Sequence, residues 1–133
     1  MEMICVQDMV LLTKERVLAV LYPDEPNYNE AAKLGSDALP HLANLVKGGD
    51  ISLAAKAASL ASFIQDEGSV DVLRSAAQSN NPHVRVAAAV GSRNLKVTGI
   101  DSILESLLND KDESIRRHAM KSRNIIRDRS QIE

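Results

Sequence analysis

Three stretches of this sequence, Ala38–Ile64, Ser69–Leu95 and Ile100–Ile126, superimpose without gaps at a constant offset of 31 residues. Leu42, Leu73 and Leu104 coincide, and so do Leu45, Ala76 and Leu107, and Val46, Ala77 and Leu108. After a polar break, Leu53, Val84 and Ile115 form a column, followed by Ala57, Ala88 and Ala119 and then Ile64, Leu95 and Ile126. Every column is apolar. Spacings of 3, 4 and 7 within a stretch place these residues on one face of an α-helix. A fixed period of this size marks one supersecondary unit used repeatedly. Such a unit cannot bury its own stripe and gains a core only by stacking on its neighbours.

Each unit reads as two helices joined by a polar turn: Gly48-Gly49-Asp50, Asn80-Asn81-Pro82 and Asp110-Lys111-Asp112. Glycine, asparagine and proline there end one helix and start the next, and Gly48-Gly49 reads as a helix C-cap. Ser69 and Thr98 are the expected N-caps between units. The first third holds a degenerate copy. It comprises a helix from Thr13 to Leu21, a loop Tyr22–Asn27 with two prolines, and a short second helix Tyr28–Gly35 whose Ala31-Ala32 matches Ala87-Ala88. The expectation is an all-α, single-domain solenoid over 1–133 with about four antiparallel helix pairs. A cap unit spans 1–37 and repeats span about 38–66, 67–97 and 98–130. The alanines Ala54, Ala55, Ala57, Ala58, Ala61, Ala87, Ala88 and Ala89 let the second helices pack closely on two sides.

Gly35-Ser36-Asp37-Ala38-Leu39-Pro40, followed by Leu42 and Leu45, resembles the opening of a HEAT repeat. Pro82-His83-Val84-Arg85-Val86-Ala87-Ala88 is similar to the signature that opens the second helix in that family, and so is Asp112 to Ala119. The resemblance covers roughly residues 28–126. It departs from the pattern at Leu53-Ala54, where Val-Arg is expected, and in the first unit, which lacks the arginine. The resemblance implies a right-handed α-solenoid whose second helices line a concave surface. It also implies that signature arginines bond to acidic loop residues; Asp50, Asn81 and Asp112, recurring at 31, are the candidates for Arg85 and Arg116.

Composition narrows the functions. Aromatic residues make up 2% of the chain, which argues against a sheet protein and against base or sugar stacking as the binding device. One cysteine, Cys5, excludes a disulfide framework within the chain and a cysteine-rich zinc site; it reads as a small buried hydrophobe. Apolar runs fall short of the roughly 20 residues that span a bilayer, so no membrane partner is expected. Met1–Leu12 is interrupted by Glu2 and Asp8 and has no basic leader or cleavage site. It reads as an amphipathic first helix, and the cytoplasm is the expected compartment.

No catalytic constellation emerges. His41, His83 and His118 have no helical metal-ligand spacing, and no His-Glu dipeptide, nucleophile elbow or phosphate loop occurs. No catalytic residue, metal site or cofactor is therefore assigned. His41 falls in a seam column with Val72 and Ile103, His83 reads as solvated, and His118 is a candidate for the concave face. The competing reading is an enzyme-associated or lyase-like HEAT protein, as in the bilin lyases, although no chromophore site is identifiable.

Charge is unevenly spread. Residues 1–37 carry a net −4, 38–109 balance, and 110–133 carry +2. Arg116 and Arg123 share a helix face that Arg127 continues, and Arg85 is the counterpart of Arg116 one unit earlier. Together with Lys56, Ser59, Arg93 and His118 they form the expected docking surface for another protein carrying an acidic segment. Arginine forks suit carboxylates. A pI of 5.9 disfavours nucleic acid, leaving only weak binding through the carboxy-terminal helix. Apolar residues on that helix make a homodimer through the carboxy-terminal unit a further expectation.

Overall fold

The computed structural model describes residues 12–132, so the expected first helix and Cys5 lie outside the described residues. Eight α-helices occur among them: α1 (Lys14–Leu21), α2 (Tyr28–Ala31), α3 (Leu39–Val46), α4 (Ile51–Phe63), α5 (Glu67–Ala77), α6 (Pro82–Gly91), α7 (Ile100–Leu108) and α8 (Glu113–Ile132). No strand occurs among the described residues. The architecture is a HEAT-like stack of helix pairs. Within a pair α3 packs on α4, α5 on α6 and α7 on α8. Between pairs the second helices α4, α6 and α8 pack in sequence, while the first helices α3, α5 and α7 form the other layer.

The polar turns start helices as their chemistry requires. Thr13 caps α1 through the N–H of Arg16, and Asp50, Asn81 and Asp112 accept from the N–H groups of Leu53, His83 and Ser114. Each side-chain oxygen thereby satisfies a donor that has no partner inside its own helix.

The expected caps between units are corrected. Asp66, not Ser69, caps α5, accepting from Gly68 N at 2.8 Å. Ser69 lies inside the helix, fully buried, with its hydroxyl donated to the Ile64 carbonyl. Thr98 caps nothing. Gly99 occupies the cap position of α7 at φ 102°, in the left-handed region that favours glycine. Gly48 and Gly49 follow the end of α3, but neither adopts a positive φ, so the glycine C-cap geometry is absent there. The short second helix of the first pair is α-helical only from Tyr28 to Ala31 and tightens into a 3-10 turn at Ala32–Leu34.

The repeating columns are the core. Leu42, Leu73 and Leu104 are buried, as are Ala57, Ala88 and Ala119. Each fully buried leucine contributes about 1.5–3 kcal/mol. The alanines bring second helices so close that a Cβ on Gly91 would meet Ser62 Cβ at 2.8 Å. Close approach also puts polar groups across the seam. Ser122 Oγ donates to the Ala89 carbonyl at 2.6 Å, and Asn94 Nδ2 donates to Ser62 Oγ at 3.1 Å. His41 is half-buried and its Nε2 lies 2.8 Å from the Leu12 carbonyl oxygen, while His83 is exposed.

Candidate docking surface

The turns between helices carry a ladder of one complete rung. Arg85, 7% exposed on α6, donates from Nε to Asp110 Oδ2 at 2.9 Å and from Nη1 to the carbonyls of Ser79 and Asn80. Its carboxylate is thus Asp110, two residues before the capping Asp112. Asp50, Asn81 and Asp112 spend their side chains on helix N-termini, so the expected pairing of Arg85 with that column is corrected. The column Gly48, Ser79, Asp110 carried the missed signal. Ser79 Oγ and Asp110 Oδ1 each accept the N–H two residues on, from Asn81 and Asp112. Only Asp110 adds a charge, and it meets Arg85 of the preceding unit.

Ala54 stands one unit before Arg85, and Ser79 one unit before Asp110. Between the turns at 48–50 and 79–81 a hollow of about 460 Å³ is lined by Val46, Lys47, Gly48, Ile51 and Ser79. Arg116 stands one unit after Arg85 and repeats half of its geometry. Its Nη1 donates to the Asp110 carbonyl at 2.6 Å, as Arg85 Nη1 donates to that of Ser79. No carboxylate meets Arg116 among the described residues.

The expected site residues separate into three groups, with His118 apart from all of them. Arg85 is interior. Lys56, Ser59 and Arg93 carry bonds within the chain: Lys56 Nζ donates to the Pro23 carbonyl at 2.8 Å, and Arg93 Nε donates to Ser122 Oγ at 3.0 Å. Ser59 bonds the Tyr28 hydroxyl. Burial pushes that phenol above its ordinary value of 10.0, and the Ser59 bond opposes the rise. Arg116, Arg123 and Arg127 form the third group, on one flank of α8. His118 is half-buried on a different face of the helix.

Equivalent positions identify that flank. Ala58 and Ala89 are 0% exposed, whereas their counterpart Met120 is 49% exposed. Ala61 and Ser92 are buried; their counterpart Arg123 is half-buried, with its Nε out of contact with solvent and with any acceptor. Gln65, the counterpart of Arg127, bonds the Asn94 carbonyl and Lys96 N–H of the following unit. In the inner units this flank is the surface that the next pair covers. On α8 nothing among the described residues covers it.

The hollow of about 400 Å³ beside α1 and α2 is lined by Arg16, Val20, Pro23, Glu30 and Lys33, and Glu30 is paired with Lys33. Among the described residues no cluster of His, Cys, Asp and Glu is arranged to hold a metal ion. No helix there is long and apolar enough to cross a membrane. The family model for HEAT repeats matches residues 39–122, more than half of the chain. Among curated proteins, none matches it.

Proposed function

We propose a function from the premise that this chain belongs to the HEAT-repeat family: it is a non-catalytic scaffold that binds an acidic segment of another protein through its second helices. HEAT repeats generally mediate protein–protein interaction. The observation that carries the reading is the state of Arg116, Arg123 and Arg127. None of the three has a carboxylate within ion-pair distance among the described residues, whereas Arg74 and Arg85 each do. Guanidinium forks without an anion are suited to a carboxylate from outside, and two parallel N–H bonds add direction to the charge. The docking residues are these three; His118 lies on another face of α8, and Lys56, Ser59, Arg85 and Arg93 serve the fold.

The test is nuclease-treated affinity capture from the native lysate with the wild-type chain and an R123E/R127E variant of equal helicity. A protein held by wild type and lost from the variant supports the reading. A partner held equally by both overturns it. A signal that vanishes on nuclease treatment favours nucleic acid instead.

A further inference from the structure

We infer that the flank of α8 that no described residue covers docks an acidic helix of a partner protein lengthwise, with one partner carboxylate filling the edge of Arg116 that Asp110 fills on Arg85. This rests on the scaffold reading above and specifies how the acidic segment sits. Its template is inside the molecule. Arg85 grips its own turn with Nη1 and receives the next unit's carboxylate on Nε and Nη2. Arg116 makes the first contact, and no described residue makes the second. The same turn geometry thus holds Arg116 from one side and leaves its other edge to an incoming anion.

The flank has the shape of a helix seat. Arg116, Met120, Arg123 and Arg127 follow one another at spacings of 4, 3 and 4, one stripe on α8. The stripe is about 16 Å long at 1.5 Å per residue. An unbranched thioether at its centre adapts to varied surfaces, and the cations around it select negative charge. Across the end of the stack, α7 presents Asp101 and Glu105, both exposed. An acidic occupant is therefore attracted to α8 and repelled from α7, which fixes its line along the arginine stripe.

A further unit identical to the inner ones fits less well. Ala89 lets Ser122 approach its carbonyl to 2.6 Å, and Met120 in the same position has the bulk to prevent that approach. Likewise Leu39 and Val70 lie against the following linkers at Gly68 and Gly99, but their counterpart is the charged Asp101. The face keeps the arginine clamp of an inner unit and has lost its apolar, small-residue fit. That combination matches a charged helical partner.

The probe is a fluorescent, helix-stapled peptide of alanine, leucine and glutamate with its glutamates on one stripe, titrated with the full chain. A second peptide of the same composition spreads the glutamates around the helix. Tighter binding of the first peptide is expected. R116Q should weaken it about tenfold and M120Q about fivefold, whereas R117Q, which removes the same charge from a neighbouring exposed position, should change it less than twofold. R116K should fail to restore binding, because it keeps the charge and loses the fork. Met120 is half exposed, so M120Q tests the seat without disturbing the core. Equal losses in R116Q and R117Q would overturn the inference in favour of undirected electrostatics. Loss in R123E/R127E with no loss in R116Q or M120Q would overturn this docking mode and leave the scaffold reading standing. No binding of either acidic peptide would count against both. Self-association of the chain that M120Q abolishes would make the occupant a second copy and overturn the stated partner.

Discussion

Arg85 and Asp110 form an ion pair with Nε and Oδ2 2.9 Å apart, between the second helix of one unit and the entrance turn of the next, and both side chains are more than nine-tenths buried. Two charges removed from water are tolerated because their remaining bonds are made: Nη1 holds two turn carbonyls and Oδ1 accepts the N–H of Asp112. Removing one partner leaves a buried charge uncompensated. D110A is therefore expected to cost about 3–5 kcal/mol in urea unfolding. An R85M/D110L double variant should recover much of that loss, as apolar replacement of a buried pair often does. A D110A cost below that of an ordinary surface substitution would show that the pair does not couple the units.

The inner ladder can be extended by one rung. Ala54 and Ser79 occupy the positions of Arg85 and Asp110 one unit earlier, and Ser79 lines the hollow between the turns. Ala54→Arg alone should destabilise, since its guanidinium meets no anion. Combined with Ser79→Asp it should regain at least about 1 kcal/mol by a double-mutant cycle, within the range of coupled neighbours. Additive effects of the two changes would mean that this gap does not accept a rung.

At Gly91 two effects oppose each other. Alanine favours helix over glycine by about 1 kcal/mol. The added Cβ, however, would lie 2.8 Å from Ser62 Cβ, on a helix packed from both sides. Overpacking of this kind costs about 1–3 kcal/mol, so Gly91→Ala is expected to lower the melting temperature. Ser62→Gly in the same chain should relieve the contact. A melting temperature raised by Gly91→Ala would show that α4 and α6 move apart at little cost.

Tyr28 stacks on Phe63 with ring centroids 5.7 Å apart, and burial raises its phenol above 10.0. A folded-state value above the unfolded one means that the native protein holds the proton longer. Its contribution is complete below pH 10 and is lost as pH climbs through the raised value. Urea midpoints should therefore fall in that alkaline window in wild type. The fall should be shallower in Tyr28→Phe, and parallel curves would remove Tyr28 as the cause.

The caps between units provide a comparison of two neighbours. Asp66→Ala should cost about 1 kcal/mol, the usual loss for an N-cap. Ser69→Ala removes no cap. It deletes a buried hydroxyl and leaves the Ile64 carbonyl without that donor, a cost of about 1–3 kcal/mol. Thermal unfolding of the two variants, with backbone amide exchange at Gly68, separates the roles: only Asp66→Ala should speed exchange there.

The 31-residue offset by itself determined the helix pairs, their turns and the core columns, because helical periodicity and cap chemistry are local properties. Leu73, Ala88 and Ile115 are buried for reasons readable from spacing alone. The charge asymmetry and the candidate arginines were legible in the same way. Their separation was not. Arg85, Arg116 and Arg123 share residue type and helical face, and only the stack decides that Arg85 meets Asp110 while no described residue covers the α8 flank. Asp110 was missed because its partner lies 25 residues away, across an interface that no local pattern encodes. Likewise Met120 sits in a column with Ala58 and Ala89, and nothing in that column says which member is exposed. Periodicity assigns a residue to a face; whether that face is core or surface depends on the neighbour packed against it.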